Sequence, residues 1–196
     1  MKKLYIFLIV VVVVIVVCFS WVKGTYNNLV TMDEGVKTMW SNVENQYQRR
    51  IDLIPNLVNT VKGYAEHEKE TLSAVVNARA KATQTQLNVE NLDAASIDKL
   101  NSVQGELSSA LSRLMVVAEK YPDLKANQNF KDLQVQLEGT ENRIAVERRN
   151  FNESAKAYNI LIRQFPSNIF ASIFGFEKKS YFEAAKGAEQ APTVKF

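Results

Sequence analysis

Cysteine occurs once in this 196-residue chain, at Cys18, and histidine once, at His67. One cysteine excludes a disulfide framework within the chain and any multi-thiolate metal site. One histidine excludes a two-histidine zinc motif. Glycine (7) and proline (4) are scarce. So few turn-formers rule out a sandwich or barrel of many short strands and leave long helices. An excess of one charge over the body is missing too. The formal net charge of +3 is carried by Lys2, Lys3 and Lys23, leaving 21 basic and 21 acidic side chains over residues 24–196. Such a body lacks the footprint of a protein that neutralises many phosphates, and no nucleic-acid partner is expected. Gly-rich phosphate loops, G-x-S-x-G and H-E-x-x-H are also lacking, so no cofactor, metal or catalytic residue is expected. Glu66, His67 and Glu70 crowd one stretch, but i,i+4 clusters of this kind are ordinarily a solvated charged face.

What is present begins with Leu4–Val22, 19 residues without a charge. As a helix this segment spans ~28 Å, close to the ~30 Å hydrocarbon core of a bilayer. Tyr5 and Trp21 stand near its ends, at headgroup level. A cleaved secretory signal would have a shorter apolar run and a small-x-small site; this run ends in Ser20-Trp21-Val22-Lys23. A retained single-pass anchor in the lipid bilayer is therefore the expectation, with Cys18 a small apolar side chain within it. Lys2 and Lys3 precede the segment, which favours a cytoplasmic amino terminus and a body outside the cytoplasm. No small-xxx-small face argues for dimerisation through the anchor, and the oligomeric state is left open.

From Tyr26 to about Thr85 an apolar stripe recurs at helical spacing through Leu29, Val36, Trp40, Val43, Tyr47, Ile51, Ile54, Val58, Val61, Leu72 and Val75. Pro55 interrupts it. The stripe keeps phase across the proline, which favours one kinked helix. Length matching favours a reversal: an unbroken helix of ~60 residues would reach ~90 Å with nothing long enough to cover it. The split near Asp52–Pro55 is the expectation. Thr85–Ala95 is a polar loop. Leu100, Leu107, Leu114 and Tyr121 then recur every seven with Val103, Ala110 and Val117 between them, a coiled-coil-like seam on a helix from about Ser96 to Tyr121. Tyr121-Pro122-Asp123 stops it. Phe130, Leu137, Ile144, Phe151, Tyr158 and Phe165 form a second seven-residue stripe, on a helix from about Asn129 to Pro166. Gly139 within that helix costs ~1 kcal/mol against alanine and is expected to mark a close helix crossing. Ser167–Phe182 reads as a short helix and turn plugging one end of a bundle, with an interfacial membrane segment as the alternative. The domains expected are a tail at 1–3, the transmembrane helix at 4–22, a helical body at 24–182 and a tail at 183–196.

Several stretches together carry a family likeness: Tyr26-Asn27-Asn28-Leu29-Val30, Gln48-Arg49-Arg50-Ile51-Asp52-Leu53-Ile54-Pro55-Asn56-Leu57-Val58, Ala78-Arg79-Ala80, Tyr121-Pro122-Asp123-Leu124-Lys125-Ala126-Asn127, Leu137-Glu138-Gly139-Thr140-Glu141-Asn142-Arg143-Ile144, and Phe174-Gly175-Phe176. In this order and spacing they resemble the LemA family. The resemblance implies a bacterial protein that is all-α, with one amino-terminal membrane helix, an antiparallel up-and-down four-helix bundle and a reversal at Pro55. It implies no catalytic residue and no cofactor.

In a bundle whose first helix turns at Pro55, Arg49, Arg50, Asp52 and Asn56 would gather near Tyr121, Asp123, Lys125 and Asn127 at the membrane-distal end. Such side chains commonly cap helices and pair with one another; as a patch on a rigid scaffold they would dock a partner protein. The functional expectation is a non-enzymatic scaffold binding other proteins of the bacterial envelope. The alternative is an enzyme subunit or signalling component acting only with a partner chain.

Overall fold

The computed structural model describes residues 2–85, 87 and 92–183. Much of the polar loop expected at Thr85–Ala95 and nearly all of the tail expected at 183–196 lie outside the described residues. Those described are all-helical, without a strand. In chain order the helices are α1 (Lys2–Lys62), α2 (Lys69–Gln84), α3 (Ala94–Ala118), α4 (Pro122–Ala126), α5 (Gln128–Leu161) and α6 (Ser167–Phe174).

The reversal expected at Pro55 is not there. α1 runs on through Pro55 to Lys62, and the chain turns at Gly63–Glu68, where Ala65 N donates to Val61 O (2.9 Å) and Glu68 N to Ala65 O (3.1 Å). A proline within a helix leaves the carbonyl four residues back without its donor. Here that carbonyl belongs to Ile51, and Arg79 Nε of α2 donates to it at 3.1 Å. With the missing bond supplied from a neighbouring helix, the unbroken phase of the stripe prevails. Length matching misled because it weighed a turn at Pro55 against one unbroken helix to about Thr85, whereas the chain turns after Lys62. From Tyr26 to Lys62 the body part of α1 is 37 residues, comparable with the 34 of α5.

Two compact units make up the fold. The first comprises α1 as far as Thr38 together with Glu153–Lys179. Its buried side chains include Leu29 and Val36 of α1, Ala155 and Tyr158 of α5, Ile162 just beyond α5, and Ala171 of α6. From Lys3 to Trp21 every side chain of α1 is exposed, with Trp21 at its end meeting Phe170 of α6 edge-on. The second unit runs from Met39 to Asn152 and includes the described residues from Ser180. One buried cluster there draws on Ile51, Ile54, Leu57 and Val61 of α1, Leu72 and Val75 of α2, Leu107 and Leu114 of α3, Leu124 of α4, and Phe130 and Leu137 of α5.

Local chemistry sets the helix ends. Asp93 caps α3 by accepting from Ser96 N at 2.7 Å, and Asn127 Oδ1 accepts from Phe130 N at 3.0 Å at the start of α5. Pro122 does more than stop a helix. α3 ends at Ala118, and Pro122 opens α4 from the first-turn position that tolerates proline. The seven-residue stripe of α5 is buried from Phe130 to Tyr158. Its sixth member, Phe165, leaves the helix, which ends at Leu161 rather than at Pro166, and is 81% exposed.

No close crossing occurs at Gly139, since a Cβ built there would meet nothing within 4 Å. Gly139→Ala should therefore stabilise the protein by up to ~1 kcal/mol through helix propensity alone. Urea unfolding checks this through a higher midpoint at unchanged slope. A lower midpoint would restore the crossing.

Candidate functional site

Arg50 stands in phase with the apolar stripe of α1, between Tyr47 and Ile54, and is 1% exposed. A guanidinium so placed must find acceptors within the protein. α3 supplies two, one turn apart: Ser108 Oγ at 3.0 Å from Nη1, and Gln104 Oε1, to which Nη2 donates. Glu141 of α5 supplies the countercharge, accepting from Nη1. The Tyr47 ring lies under the guanidinium, 5.7 Å from centroid to Cζ. One side chain of α1 thus ties α3 and α5 to itself through charge-assisted bonds.

Beside this clamp is a cavity of about 550 Å³, lined by Tyr47, Arg50, Asn101, Gln104, Arg148 and Glu183 among others. Three buried polar atoms of its wall, Tyr47 Oη, Arg50 Nε and Asn101 Oδ1, have no hydrogen-bond partner among the described residues. Burial pushes the Tyr47 phenol above its ordinary pKa, against the opposing pull of Arg148 and Arg50. Arginines, amides and carboxylates mix in this recess, an arrangement suited to holding polar groups.

The eight residues expected to form one distal patch do not come together as such. Arg50 is inside. Arg49, Asp52 and Asn56 are exposed, spaced by three and four along α1 and so on one helical face; Asp52 accepts from Gln48 Nε2 at 2.7 Å. With α1 continuing to Lys62, Arg50 lies 12 residues, ~18 Å, before the reversal. The other four cluster at the α4 corner, where their partners come from the turn after α1. Tyr121 Oη donates to Glu68 Oε1 (3.2 Å), and Asn127 Nδ2 donates to Tyr64 Oη (2.9 Å). Lys125 pairs with Glu119, and Asp123 lies in the first turn of α4.

Sequence reasoning missed Gln104, Ser108 and Glu141. A signal existed for Gln104, which follows Leu100 by four and precedes Leu107 by three, a polar residue on the buried face of α3. Phe182 was missed in another way. Its ring stacks on Trp40 (5.8 Å between centroids, 11° between planes), meets Phe151 edge-on at 5.4 Å and lies 4.5 Å beneath the Arg148 guanidinium. Asn152 holds both its backbone groups at 2.8 Å, donating to its C=O and accepting from its N–H. Phe182 is thus buried within the second unit.

The first unit has a polar cluster of its own. Asp33 bridges Lys37 at 3.1 Å and Lys179 at 3.0 Å. Burial alone would raise the Asp33 pKa; the hydrogen bonds from the two lysines outweigh it and hold the carboxyl below its usual range. Nearby, burial and the charges of Asp33 and Glu177 push the Tyr158 phenol up to about 12.

Residues 39–196 match the family model described as the LemA family. Among curated proteins, the chain is 31% identical to magnetosome protein MamQ 2 of Paramagnetospirillum magneticum over 186 residues, covering 86% of this chain and 68% of that one. Magnetosome protein MamQ of Magnetospirillum gryphiswaldense matches with the same identity and coverage. Protein LemA of Metamycoplasma hominis is 26% identical over 165 residues, covering 83% of this chain and 71% of the relative.

Proposed function

The chain belongs to the LemA family, and from that premise we propose that it is a membrane-anchored helical scaffold that acts by binding partner proteins, not by catalysis. In this reading residues 4–22 cross the bilayer once, with the amino terminus in the cytoplasm. The body at 24–182 is an antiparallel up-and-down four-helix bundle of α1, α2, α3 and α5, facing the bacterial envelope outside the cytoplasm. The observation that carries the proposal is the uncovered apolar segment. Of the 19 uncharged residues Leu4–Val22, every side chain from Leu4 to Trp21 is exposed, and fully burying a large aliphatic side chain is favourable by ~1.5–3 kcal/mol. Lipid meets that demand. The four-helix reading draws on the shared buried cluster of α1, α2, α3 and α5.

Partner docking is assigned to polar surface: the exposed α1 face of Arg49, Asp52 and Asn56, and the corner where exposed Asp123 and Lys125 stand beside half-buried Tyr121 and Asn127. Arg50 is withdrawn from this surface by its burial. Photo-crosslinking of the full chain in cells, with mass spectrometry, should return discrete envelope proteins. Arg49→Glu should lower their capture severalfold while shifting stability by no more than ~0.5 kcal/mol, as exposed substitutions do. Capture unchanged by Arg49→Glu would remove the α1 face from the proposal, and the absence of reproducible partners would end the scaffold reading.

A further inference from the structure

α6 and the turn before it carry apolar side chains that the protein does not cover. Between Arg163 and Glu177, 13 residues pass without a charge, and Phe165, Ile169 and Ile173 are exposed, Ile173 by 68%. The opposite face of the helix is partly covered, with Phe174 still 47% exposed. Ala171 is buried, Phe170 meets the Trp21 ring edge-on at 5.3 Å, and Phe174 meets Tyr26 at 4.9 Å. Gly175, at φ 74°, ends the helix in the left-handed region that glycine enters freely, and Phe176 returns to Tyr26 at 6.0 Å.

The order of these contacts sets the direction of α6. Phe170 and Phe174 touch Trp21 and Tyr26 in the same chain sense, so α6 runs along α1 and its beginning points toward the apolar segment. Trp21 lies near the end of that segment. Ile169, one residue before Phe170, therefore lies about level with Trp21, and the turn before α6, which carries Phe165, lies at the end of α6 that points toward the apolar segment.

We propose that the α5–α6 turn and the outer face of α6 are a second membrane contact, a wedge in which Phe165, Ile169 and Ile173 enter the headgroup–acyl boundary beside the anchor. The inference rests on residues 4–22 spanning the bilayer. Exposed apolar surface at that height has lipid as its natural cover. Arg163, exposed at the turn, has a stem long enough to keep its charge among headgroups while its neighbours go deeper.

The full chain in phosphatidylethanolamine/phosphatidylglycerol vesicles tests this by spin-label accessibility. Nitroxide is placed on Cys18 and, in a Cys18→Ser background, on Phe165→Cys, Ile169→Cys, Ile173→Cys and, as an exposed reference, Val135→Cys. The ratio of collisions with oxygen, which concentrates in lipid, to those with a water-soluble nickel chelate should be severalfold higher at 165, 169 and 173 than at 135. Equal ratios at the four positions would overturn the wedge. Cys18 separates the two failures: a lipid ratio at 18 with aqueous ratios at 165, 169 and 173 defeats the wedge and leaves the anchor standing, and an aqueous ratio at 18 defeats both.

Discussion

Arg50→Ala is expected to cost about 3–5 kcal/mol of folding stability, the range of a large-to-small change in a core together with the loss of a buried hydrogen bond. For a body of this size that lowers the melting temperature by roughly 10 °C or more. The cost has two parts. Gln104, itself buried, loses the donor to its side-chain carbonyl, and the volume of the arginine stem becomes a void in a close-packed interior. The sharper expectation concerns Glu141, whose side chain is 44% exposed where that of Arg50 is 2% exposed. A pair so lopsided invites the view that Glu141 is dispensable. Physical reasoning predicts the reverse: Glu141→Ala strands a buried guanidinium, so it should cost ~2–4 kcal/mol despite touching a half-exposed residue. Arg50→Met keeps the bulk of the stem and leaves behind neutral Gln104 and Ser108 and the half-exposed Glu141, which water can solvate, so it should cost less than Glu141→Ala. Combining Arg50→Met with Glu141→Ala should then add little to Arg50→Met alone, because no buried charge is left to strand. Thermal and urea unfolding of the four variants checks the order. An Arg50→Ala variant within ~0.5 kcal/mol of wild type would show that the clamp is not formed in solution.

Arg50 also shows where sequence reading succeeds and where it fails in this chain. Helical content was legible from scarce glycine and proline, and the seven-residue stripes of α3 and α5 named the core from Leu100 to Val117, where Val103 alone of the stripe is only partly buried, and from Phe130 to Tyr158. Periodicity reports burial well because burying apolar surface is a demand of the whole helix face. It fails at single residues whose chemistry opposes the stripe. Arg50 follows Tyr47 by three and precedes Ile54 by four, a position that periodicity assigns to the core, yet its charge argued for the surface and for a patch. Position outweighed charge because Gln104, Ser108 and Glu141, all distant in sequence, stood ready to accept. Phe165 is the opposite case. It keeps the spacing of its stripe after α5 has ended, and spacing without the helix carries no information about burial. Among the eight residues assigned to one patch, Tyr121, Asp123, Lys125 and Asn127 stay together because they are neighbours in the chain. Arg49, Asp52 and Asn56 were placed beside them only by the supposed turn at Pro55.

That turn failed because of Arg79, and the same contact yields the second large prediction. Proline inside a helix costs about 3 kcal/mol relative to a good helix former, so Pro55→Ala should stabilise the protein. The gain should stay below that figure, since Arg79 Nε already serves the Ile51 carbonyl at 3.1 Å and proline also restricts the unfolded chain. Arg79→Met removes the substitute donor. In the native background it leaves a carbonyl inside α1 without its helical or its borrowed partner, at a cost of ~1–3 kcal/mol. With alanine at position 55 the restored N–H satisfies Ile51, and the same Arg79→Met change should then cost under ~1 kcal/mol. The double-mutant cycle isolates this coupling, and its sign is diagnostic: the arginine must matter more when the proline is present. Additive effects would mean that Arg79 stabilises the protein through contacts unrelated to the proline, and the continuity of α1 through position 55 would then need another cause. With the predicted coupling, proline and arginine act as one device. Pro55 weakens α1 at a chosen point, Arg79 of α2 mends it from the side, and the mend fixes α2 against α1 where a longer uninterrupted ladder would have had no carbonyl to offer.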